Sequence, residues 1–342
     1  MTDQFTTFRK NANESDIAGQ LMIIGFNGTR YTSSIGSWFK KLKPGGVILF
    51  SRNIENSEQT KTLISDLKKL GEDITSLPLF VCIDQEGGRV ARLSNDMPKF
   101  PTAKELGNDG STEQVDQVYG AIGKTIKELG FNVDFAPVLD LDTNSENPII
   151  GDRAFSCDAN KVAKLGQTAI AALRREGILA CGKHFPGHGD TSLDSHLTLP
   201  EDNRPLERFN DHELIPFEAA INEKVDFIMT AHVMYPSIDA EFPATLSKKI
   251  ITDILRNKMG YNGIIASDDM DMKAIADRWS DGEAIELAVR AGVDVTLVCH
   301  ESERLVTAYK AIRRIIVGGG FPDGSHETSL ERILHAKSNI KF

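Results

Sequence analysis

The sequence predicts an α/β fold, a single (β/α)8 barrel of the TIM type that covers residues 1–342. Eight short apolar runs of strand length recur along the chain, and stretches with helical spacing separate most of them. No G-x-G-x-x-G motif follows any of these runs, which disfavours the alternative, an open doubly wound sheet. No internal repeat or linker divides the chain, so we expect one domain.

The eight runs are continuously apolar rather than alternating. Continuous runs are typical of parallel strands that helices cover on the outside and that side chains fill on the inside. In chain order the runs are LMIIGF (21–26), GGVILF (45–50), LFVCID (79–84), VDFAPVLDL (133–141), ILACGKHF (178–185), DFIMTAHVM (226–234), GIIASDD (263–269) and VDVTLVC (293–299).

Helices are expected between these runs. Three stretches have helical spacing and end in a glycine, which suits a left-handed C-cap: 57–71, 113–130 and 160–177. Ser280 followed by Glu283 forms a capping-box pattern, which predicts the start of a further helix.

The composition indicates an ordinary globular protein, with 40% hydrophobic and 26% charged residues. A formal net charge of -10 disfavours nucleic acid and anionic membrane surfaces as partners. Basic runs at residues 40–43 and 313–314 are short and fit solvated helix faces. We therefore expect neither nucleic acid nor a membrane as a partner.

Two features predict a cytoplasmic protein. The N-terminal segment lacks the apolar core of a signal peptide, and no apolar run approaches the roughly 18 residues of a membrane span. The cysteines show no metal-clip spacing, and free thiols fit a reducing compartment; they are Cys82, Cys157, Cys181 and Cys299.

Polar residues gather where five of the predicted strands end. They are Asp84, Asp140, Asp142, Lys183, His184, His232, Asp268 and Asp269. A single strand-end aspartate can simply cap the next helix, but barrel active sites are built from several strand ends together. Such a pocket of carboxylates and cations suits a ligand rich in hydroxyl groups.

The segment KHFPGHGDTSLDSHLTLP, residues 183–200, follows the fifth run and allows three interpretations. It is a metal site, an acid/base site or a loop held by ordinary hydrogen bonds. A metal site would use His184, His188, Asp190, Asp194 and His196. Their spacing matches no helix-face pattern such as HExxH, and Lys183 would put a positive charge beside the ion, so we expect no metal.

The acid/base interpretation needs only Asp194 and His196. In an extended segment, residues two apart share a face, so the carboxylate can hydrogen-bond the imidazole. That contact favours the charged imidazole and fixes its tautomer, which keeps its titration near neutral pH. A purely structural role for Asp194 stays open on this reasoning.

Five segments together resemble glycoside hydrolase family 3, specifically its single-domain bacterial β-N-acetylglucosaminidases of peptidoglycan recycling. They are IDQEGGRVARL (83–93), NVDFAPVLDL (132–141), NPIIGDRAF (147–155), KHFPGHGDTSLDSHLTLP (183–200) and ASDDMDM (266–272). The resemblance implies a barrel that acts on a small carbohydrate, with no cofactor. Larger members usually draw the general acid from a second domain, so a chain of 342 residues favours N-acetylglucosamine over glucose.

The resemblance also implies roles for individual residues. Asp268, directly after Ser in S-D-D, would be the nucleophile of a retaining double displacement. His196, supported by Asp194, would be the acid/base on a mobile loop whose glycines let it close over the sugar. The implied sugar-binding residues are Asp84, Arg92, Arg153, Lys183 and His184. The residues expected to support the site from behind are Asp140, His188, Glu86, Asp190 and Asp269.

The expected reaction is hydrolysis of terminal N-acetylglucosamine from muropeptide fragments. Two alternatives stay open at the level of sequence. A histidine acid/base does not repel phosphate as a carboxylate would, so the intermediate could be resolved by phosphorolysis. The barrel could also bind a sugar without cleaving it. The natural aglycone depends on loops at 143–150 and 235–246 that the sequence does not position.

Overall fold

Eight parallel strands close into a barrel in the computed structural model, which describes residues 3–195, 197–300, 303–319 and 326–340. Each strand pairs with the next one along the chain, and the last pairs with the first. The strands are β1 Met22–Ile24, β2 Gly46–Ile48, β3 Phe80–Ile83, β4 Val133–Asp134, β5 Leu179–Phe185, β6 Phe227–Thr230, β7 Ile264–Asp269 and β8 Val295–Val298. Every predicted run contains one strand, which confirms the predicted barrel.

Aromatic side chains fill the middle of the barrel. The rings of Phe80 and Phe135 pack edge-on against Phe227, with centroid separations of 5.5 and 6.2 Å. A Cβ at Gly46 of β2 would lie 2.7 Å from the Cβ of Phe80, so this position has no room for a side chain. The interior is therefore a packed core, and a ligand must bind at an end of the barrel.

Helices surround the strands. They are α1 Asp3–Asn11, α2 Glu14–Gln20, α3 Ser33–Leu42, α4 Ser57–Thr75, α5 Ala103–Asp109, α6 Thr112–Leu129, α7 Ala159–Arg175, α8 Leu206–Arg208, α9 Leu214–Asn222, α10 Lys273–Ala276, α11 Asp281–Ala291, α12 Glu303–Gly318 and α13 His326–Ser338. Two stretches have π-helical hydrogen bonding, Phe209–Glu213 and Lys249–Lys258. In the described ranges, none of the helices has the length and apolar character needed to cross a membrane.

The predicted helix ends are right at two glycines and wrong at the third. Gly130 and Gly177 have φ values of 102° and 82° just after α6 and α7, as a left-handed cap requires. Gly71 instead lies inside α4, which continues past it and is capped by Ser76 at φ 57°. A Cβ at Gly71 would lie 3.2 Å from the Cβ of Leu79, so close packing accounts for that glycine.

One predicted strand boundary and one predicted capping contact need correction. β4 is much shorter than the run 133–141, and one further bridge joins Val138 to Lys183. Pro137 lies between the two paired segments and has no N–H to donate to a neighbouring strand. Ser280 is the N-cap residue of α11 as predicted, but its side chain makes no capping hydrogen bond.

The amino-terminal end of the barrel buries Lys337 of α13. Its Nζ donates to Gln20 Oε1 over 2.7 Å and lies 5.0 Å from the ring centroid of Phe80, the first residue of β3. Only 1% of Lys337 is exposed. Burial lowers the pKa of Lys337 to about 7, because removal from water disfavours the ammonium form.

Candidate active site

Lys183 is the centre of an ion-pair network at the carboxyl ends of the strands. Its Nζ is 2.9 Å from Asp84 Oδ1 and 2.7 Å from Glu86 Oε1. Asp84 follows β3 and Lys183 lies in β5, so the barrel brings together two groups that are 99 residues apart. Only 3% of the Lys183 side chain is exposed, so the pairing takes place largely out of water.

Two arginines extend the network. Arg153 forms a bidentate pair with Glu86, in which both N–O distances are 2.8 Å. Arg92 donates to Asp84 Oδ2 over 3.3 Å, while its buried Nε makes no hydrogen bond to the described residues. Arg92 therefore retains an unused donor inside the network.

A tight turn after β3 returns Arg92 to the pocket. Gly87 and Gly88 adopt φ values of 97° and 55°, which a residue with a side chain rarely adopts. The Arg92 N–H donates to the Gln85 side-chain oxygen over 3.0 Å. The E-G-G sequence thus places a carboxylate and a guanidinium from one short segment in the same site.

Asp140 orients His184, which joins the network through Arg153. The Nδ1 of His184 is 2.7 Å from Asp140 Oδ2, and its Nε2 is 3.4 Å from an amino group of Arg153. Because a guanidinium only donates, the tautomer that fits has its proton on Nδ1, facing the carboxylate. Asp140 is fully buried, and His184 lowers the pKa of Asp140 below its ordinary value against the effect of burial.

The network keeps its carboxylates ionised. Burial alone would raise the pKa of Asp84, but the charges on Lys183 and Arg92 lower it below its ordinary value. Burial is likewise outweighed at Glu86, where Arg153 and Lys183 lower the pKa. In return, the carboxylates raise the pKa of Lys183 and of Arg153 despite burial. The pocket therefore offers fixed charges that can make charge-assisted hydrogen bonds to hydroxyl groups.

Asp268 is a partly exposed carboxylate close to the end of β7. Burial alone would raise its pKa, but electrostatic interactions with His232 and His184 lower the pKa of Asp268 below its ordinary value. The Asp269 N–H donates to Asp268 Oδ1 over 2.8 Å and holds the carboxylate. Asp268 is therefore ionised at the barrel end where reacting groups are placed.

The adjacent Asp269 holds the backbone behind Asp268. Its Oδ1 accepts the N–H groups of Asp271 and Cys299, both at 3.1 Å. Burial and the charge of Asp271 raise the pKa of Asp269 to about 6. The main-chain oxygen of Asp269 accepts a hydrogen bond from His232 Nε2 over 3.0 Å. These contacts agree with the supporting role expected for Asp269.

The predicted acid/base pair belongs to the loop after β5. His196 lies outside the described residues. The main-chain oxygen of Asp194 accepts the N–H groups of Leu197 and Thr198, at 2.9 and 3.0 Å. The contact between Asp194 and His196 stays a prediction.

The base of this loop is tied to the loop after β4. Asn147 Nδ2 donates to the His188 carbonyl over 2.9 Å, and Thr143 Oγ1 donates to Asp190 Oδ1 over 2.9 Å. Asp190 Oδ2 also pairs with Arg204 over 3.3 Å. Asp190 thus binds two neighbouring segments, one through Thr143 and one through Arg204.

The structure brings all five residues predicted to bind sugar into one network of hydrogen bonds and ion pairs: Asp84, Arg92, Arg153, Lys183 and His184. Asp142, another strand-end carboxylate, does not join them. It pairs with the half-exposed Lys104 over 2.9 Å and lies at the rim.

Two residues make more contacts within the site than their sequence positions led us to expect. Glu86 binds both Arg153 and Lys183, and His232 acts on both Asp268 and Asp269. His232 carries the same signal as Asp84, since each is a polar residue near the end of an apolar run.

Comparisons with known proteins agree on one family. The model of the glycosyl hydrolase family 3 N-terminal domain matches residues 15–336. A β-hexosaminidase from Pseudomonas aeruginosa is 35% identical over 300 residues, covering 87% of this chain and 88% of the relative. β-Hexosaminidase A from Pseudoalteromonas piscicida is 38% identical over 271 residues, covering 74% of this chain and 45% of the relative.

Solved structures give the same result. A family 3 β-N-acetylglucosaminidase from Paenibacillus sp. str. FPU-7 has a TM-score of 0.93 and 37% identity, covering 96% of this chain and 62% of the other. A β-N-acetylhexosaminidase from Beutenbergia cavernae has a TM-score of 0.88 and 26% identity, covering 96% and 99%. The chain thus spans about half of the Pseudoalteromonas relative and nearly all of the Beutenbergia protein.

Proposed function

This chain belongs to glycosyl hydrolase family 3 and is a glycoside hydrolase of the hexosaminidase type, and from that premise we propose that it removes terminal N-acetylglucosamine from muropeptide fragments of the cell wall. The reaction retains the anomeric configuration and proceeds through a covalent glycosyl-enzyme on Asp268. The single observation that carries the proposal is the ionised Asp268 carboxylate, partly exposed beside a network of fixed charges.

The chemistry takes two displacements. In the first, Asp268 attacks the anomeric carbon, the glycosidic C–O bond breaks, and His196 gives its proton to the leaving oxygen. In the second, His196 takes a proton from water, which attacks the same carbon and releases Asp268. Asp194 is proposed to orient His196 and to stabilise its charged form, because an imidazolium gains from an adjacent carboxylate.

The network is proposed to hold the terminal sugar. Asp84 accepts hydrogen bonds from ring hydroxyls, and Lys183, Arg92 and Arg153 donate to them. Because these groups are already ionised and fixed by one another, they need little rearrangement when a sugar arrives. Such bonds can strengthen as charge develops on the sugar ring in the transition state.

Water rather than phosphate is proposed as the acceptor. The three network cations, Arg92, Arg153 and Lys183, already pair with Asp84 and Glu86. Asp268 is an ester when the acceptor arrives, but the ionised Asp140 beside His184 adds another negative charge, so the described pocket does not concentrate anions. This charge balance favours hydrolysis over phosphorolysis.

The aglycone and the compartment belong to the same proposal. The names of the relatives support an N-acetylhexosamine at the cleaved end, and we propose that wall fragments inside the cell supply it. Free thiols at the four cysteines fit the reducing cytoplasm. Cell fractionation tests the compartment, and turnover of anhydro-muropeptides against chitin oligomers tests the aglycone.

The decisive experiment measures hydrolysis of an aryl N-acetyl-β-glucosaminide by native protein and by Asp268→Asn and His196→Ala. We expect Asp268→Asn to lose at least about 10³-fold in kcat, because the nucleophile is gone. His196→Ala should keep activity on good leaving groups, and added azide should yield the β-glycosyl azide. Asp277→Asn, at an exposed aspartate shortly after β7, is the matched control and should behave as native. Native-like activity of Asp268→Asn would contradict the proposal.

A further inference from the structure

A single buried serine interrupts the exposed part of the loop after β5. Among the described residues of 192–198, only Ser195 is buried, at 1% exposure. Leu193 and Leu197 on either side are 49% and 65% exposed. Ser195 stands between Asp194 and His196, the pair to which the proposed function gives the proton transfers. An anchor at Ser195 is therefore one residue away from each member of that pair.

Ser195 is held from two directions. Its Oγ lies 3.1 Å from His188 Nε2, and its main-chain oxygen accepts the Ala274 N–H over 3.3 Å. Ala274 belongs to α10, which follows β7 and the proposed nucleophile Asp268. The serine thus connects the acid/base loop to the segment of chain that carries the nucleophile.

The proton positions on Thr191 and His188 determine which atom donates in the hydrogen bond between Ser195 and His188. Thr191 Oγ1 donates to the His188 carbonyl over 3.1 Å, so it accepts from His188 Nδ1–H over 2.8 Å. Burial lowers the pKa of His188 to about 4, with a smaller contribution from the neighbouring His184, so the His188 ring is neutral near pH 7. The Nε2 atom therefore carries a lone pair, and the Ser195 hydroxyl donates to it.

His188 is a fixed partner for this serine. Its N–H donates to Asp140 Oδ1 over 2.7 Å, and its carbonyl accepts from Asn147 Nδ2 over 2.9 Å. The residue is only 2% exposed. Because both its ring and its main chain are bonded, His188 holds its place while the exposed residues of the loop can move.

We propose that Ser195 is a positioning residue, whose hydroxyl bond to His188 holds the Asp194–His196 pair where proton transfer to the leaving oxygen takes place. The inference rests on the proposed function and concerns a residue that supports the acid/base pair. Ser195 acts through its neighbours. Displacement of a reacting group by about 1 Å costs roughly 10²-fold in rate. The loss is greatest for a poor leaving group, which needs full protonation as the bond breaks.

Two variants remove the bond from opposite ends. Ser195→Ala removes the donor, and His188→Asn removes the acceptor while its amide N–H replaces the Nδ1–H that Thr191 uses. We expect each to lower kcat/KM for N,N′-diacetylchitobiose roughly 10- to 100-fold. For an aryl glycoside with a good leaving group, the fall should be below about threefold. The double variant should lose no more kcat/KM than the more impaired of the two single variants, since both substitutions remove the same hydrogen bond.

Ser192→Ala, at the exposed serine of the same loop, is the matched control and should keep native values on both substrates. Equal losses on the two substrates, or additive losses in the double variant, would overturn the positioning role. His196→Ala, measured alongside, separates two kinds of failure. If it shows leaving-group dependence and Ser195→Ala does not, only the positioning inference fails. If it shows none, the acid/base proposal fails and this inference falls with it.

Discussion

Replacing Glu86 by glutamine preserves the shape of the side chain and removes the charge that Arg153 and Lys183 share. The native carboxylate meets Arg153 at 2.8 Å through both oxygens and Lys183 at 2.7 Å, with only 4% of the side chain exposed. A glutamine amide has one acceptor oxygen and an NH2 group that only donates. At least one of the two cations would therefore face another donor.

The size of the effect follows from burial. Breaking one side of a buried ion pair costs roughly 3–5 kcal/mol, because a charge is left without compensation. Lys183 keeps its bond to Asp84, which places the expected loss near the lower end, about 3–4 kcal/mol. At about 2 °C for each kcal/mol in a chain of this size, the thermal midpoint should fall by roughly 6–8 °C.

The assay is thermal unfolding together with the KM for an aryl N-acetyl-β-glucosaminide. We expect KM to rise on the order of tenfold, because Arg153 and Lys183 lose the partner that orients them. Asp152→Asn is the matched control, since its pair with Arg89 is 40% and 46% exposed and should shift the midpoint by less than about 2 °C. If Glu86→Gln unfolds within about 2 °C of native protein with an unchanged KM, the network does not hold the site.

The pH dependence of this effect has a definite sign. Folding lowers the pKa of Glu86, so its stabilising contribution is present above the ordinary pKa of the unfolded chain and is lost as pH falls below it. The difference in thermal midpoint between native protein and Glu86→Gln should therefore narrow in acid. A constant difference between neutral pH and pH 3 would contradict the ionised assignment.

Three further outcomes are expected. Lys337→Met should raise the free energy of unfolding measured in urea near pH 7. The pKa of Lys337 is 10.5 in the unfolded chain and about 7 in the folded one, so the free energy of unfolding of the native protein rises by about 1.4 kcal/mol per pH unit between these values. The variant should lack this dependence on pH. Gly189→Ala should lower the free energy of unfolding by roughly 3 kcal/mol or more and remove most of the activity, because the new Cβ would lie 1.6 Å from the Leu141 carbonyl oxygen. A thermal midpoint equal to that of the native protein would contradict this expectation. Turnover in phosphate buffer should release free sugar, and sugar 1-phosphate in the product NMR spectrum would contradict the preference for water.

The strands could be predicted because burial on both faces leaves a local mark. A run such as LFVCID needs no partner to be recognised, since its apolar residues are consecutive. The extent of pairing was harder to predict. In VDFAPVLDL the apolar character continues through Pro137. The main-chain hydrogen bonds to β5 continue as well, but Pro137 itself has no N–H to donate, and the regular strand ends at Asp134.

The members of the site could be predicted better than their partners. The positions of Asp84, Lys183 and His184 at strand ends, together with the motif resemblance, predicted that these residues share one pocket. Which carboxylate meets which cation depends on side-chain geometry across distant strands, and no local pattern records it. The pairing of Lys183 with both Asp84 and Glu86 is such a case. Gly71 illustrates the same limit, since its role depends on a contact with Leu79.

Asp140 serves two histidines with one carboxylate, binding the ring of His184 and the backbone of His188. The first belongs to the ion-pair network around Lys183, and the second lies at the base of the loop after β5. A coupling free energy between these two parts would be reciprocal. If a sugar bound at the network favours one arrangement of the loop, that arrangement raises the affinity for the sugar by the same factor. Where Asp140 couples the two parts in this way, a substitution that alters the loop also alters the affinity for sugar.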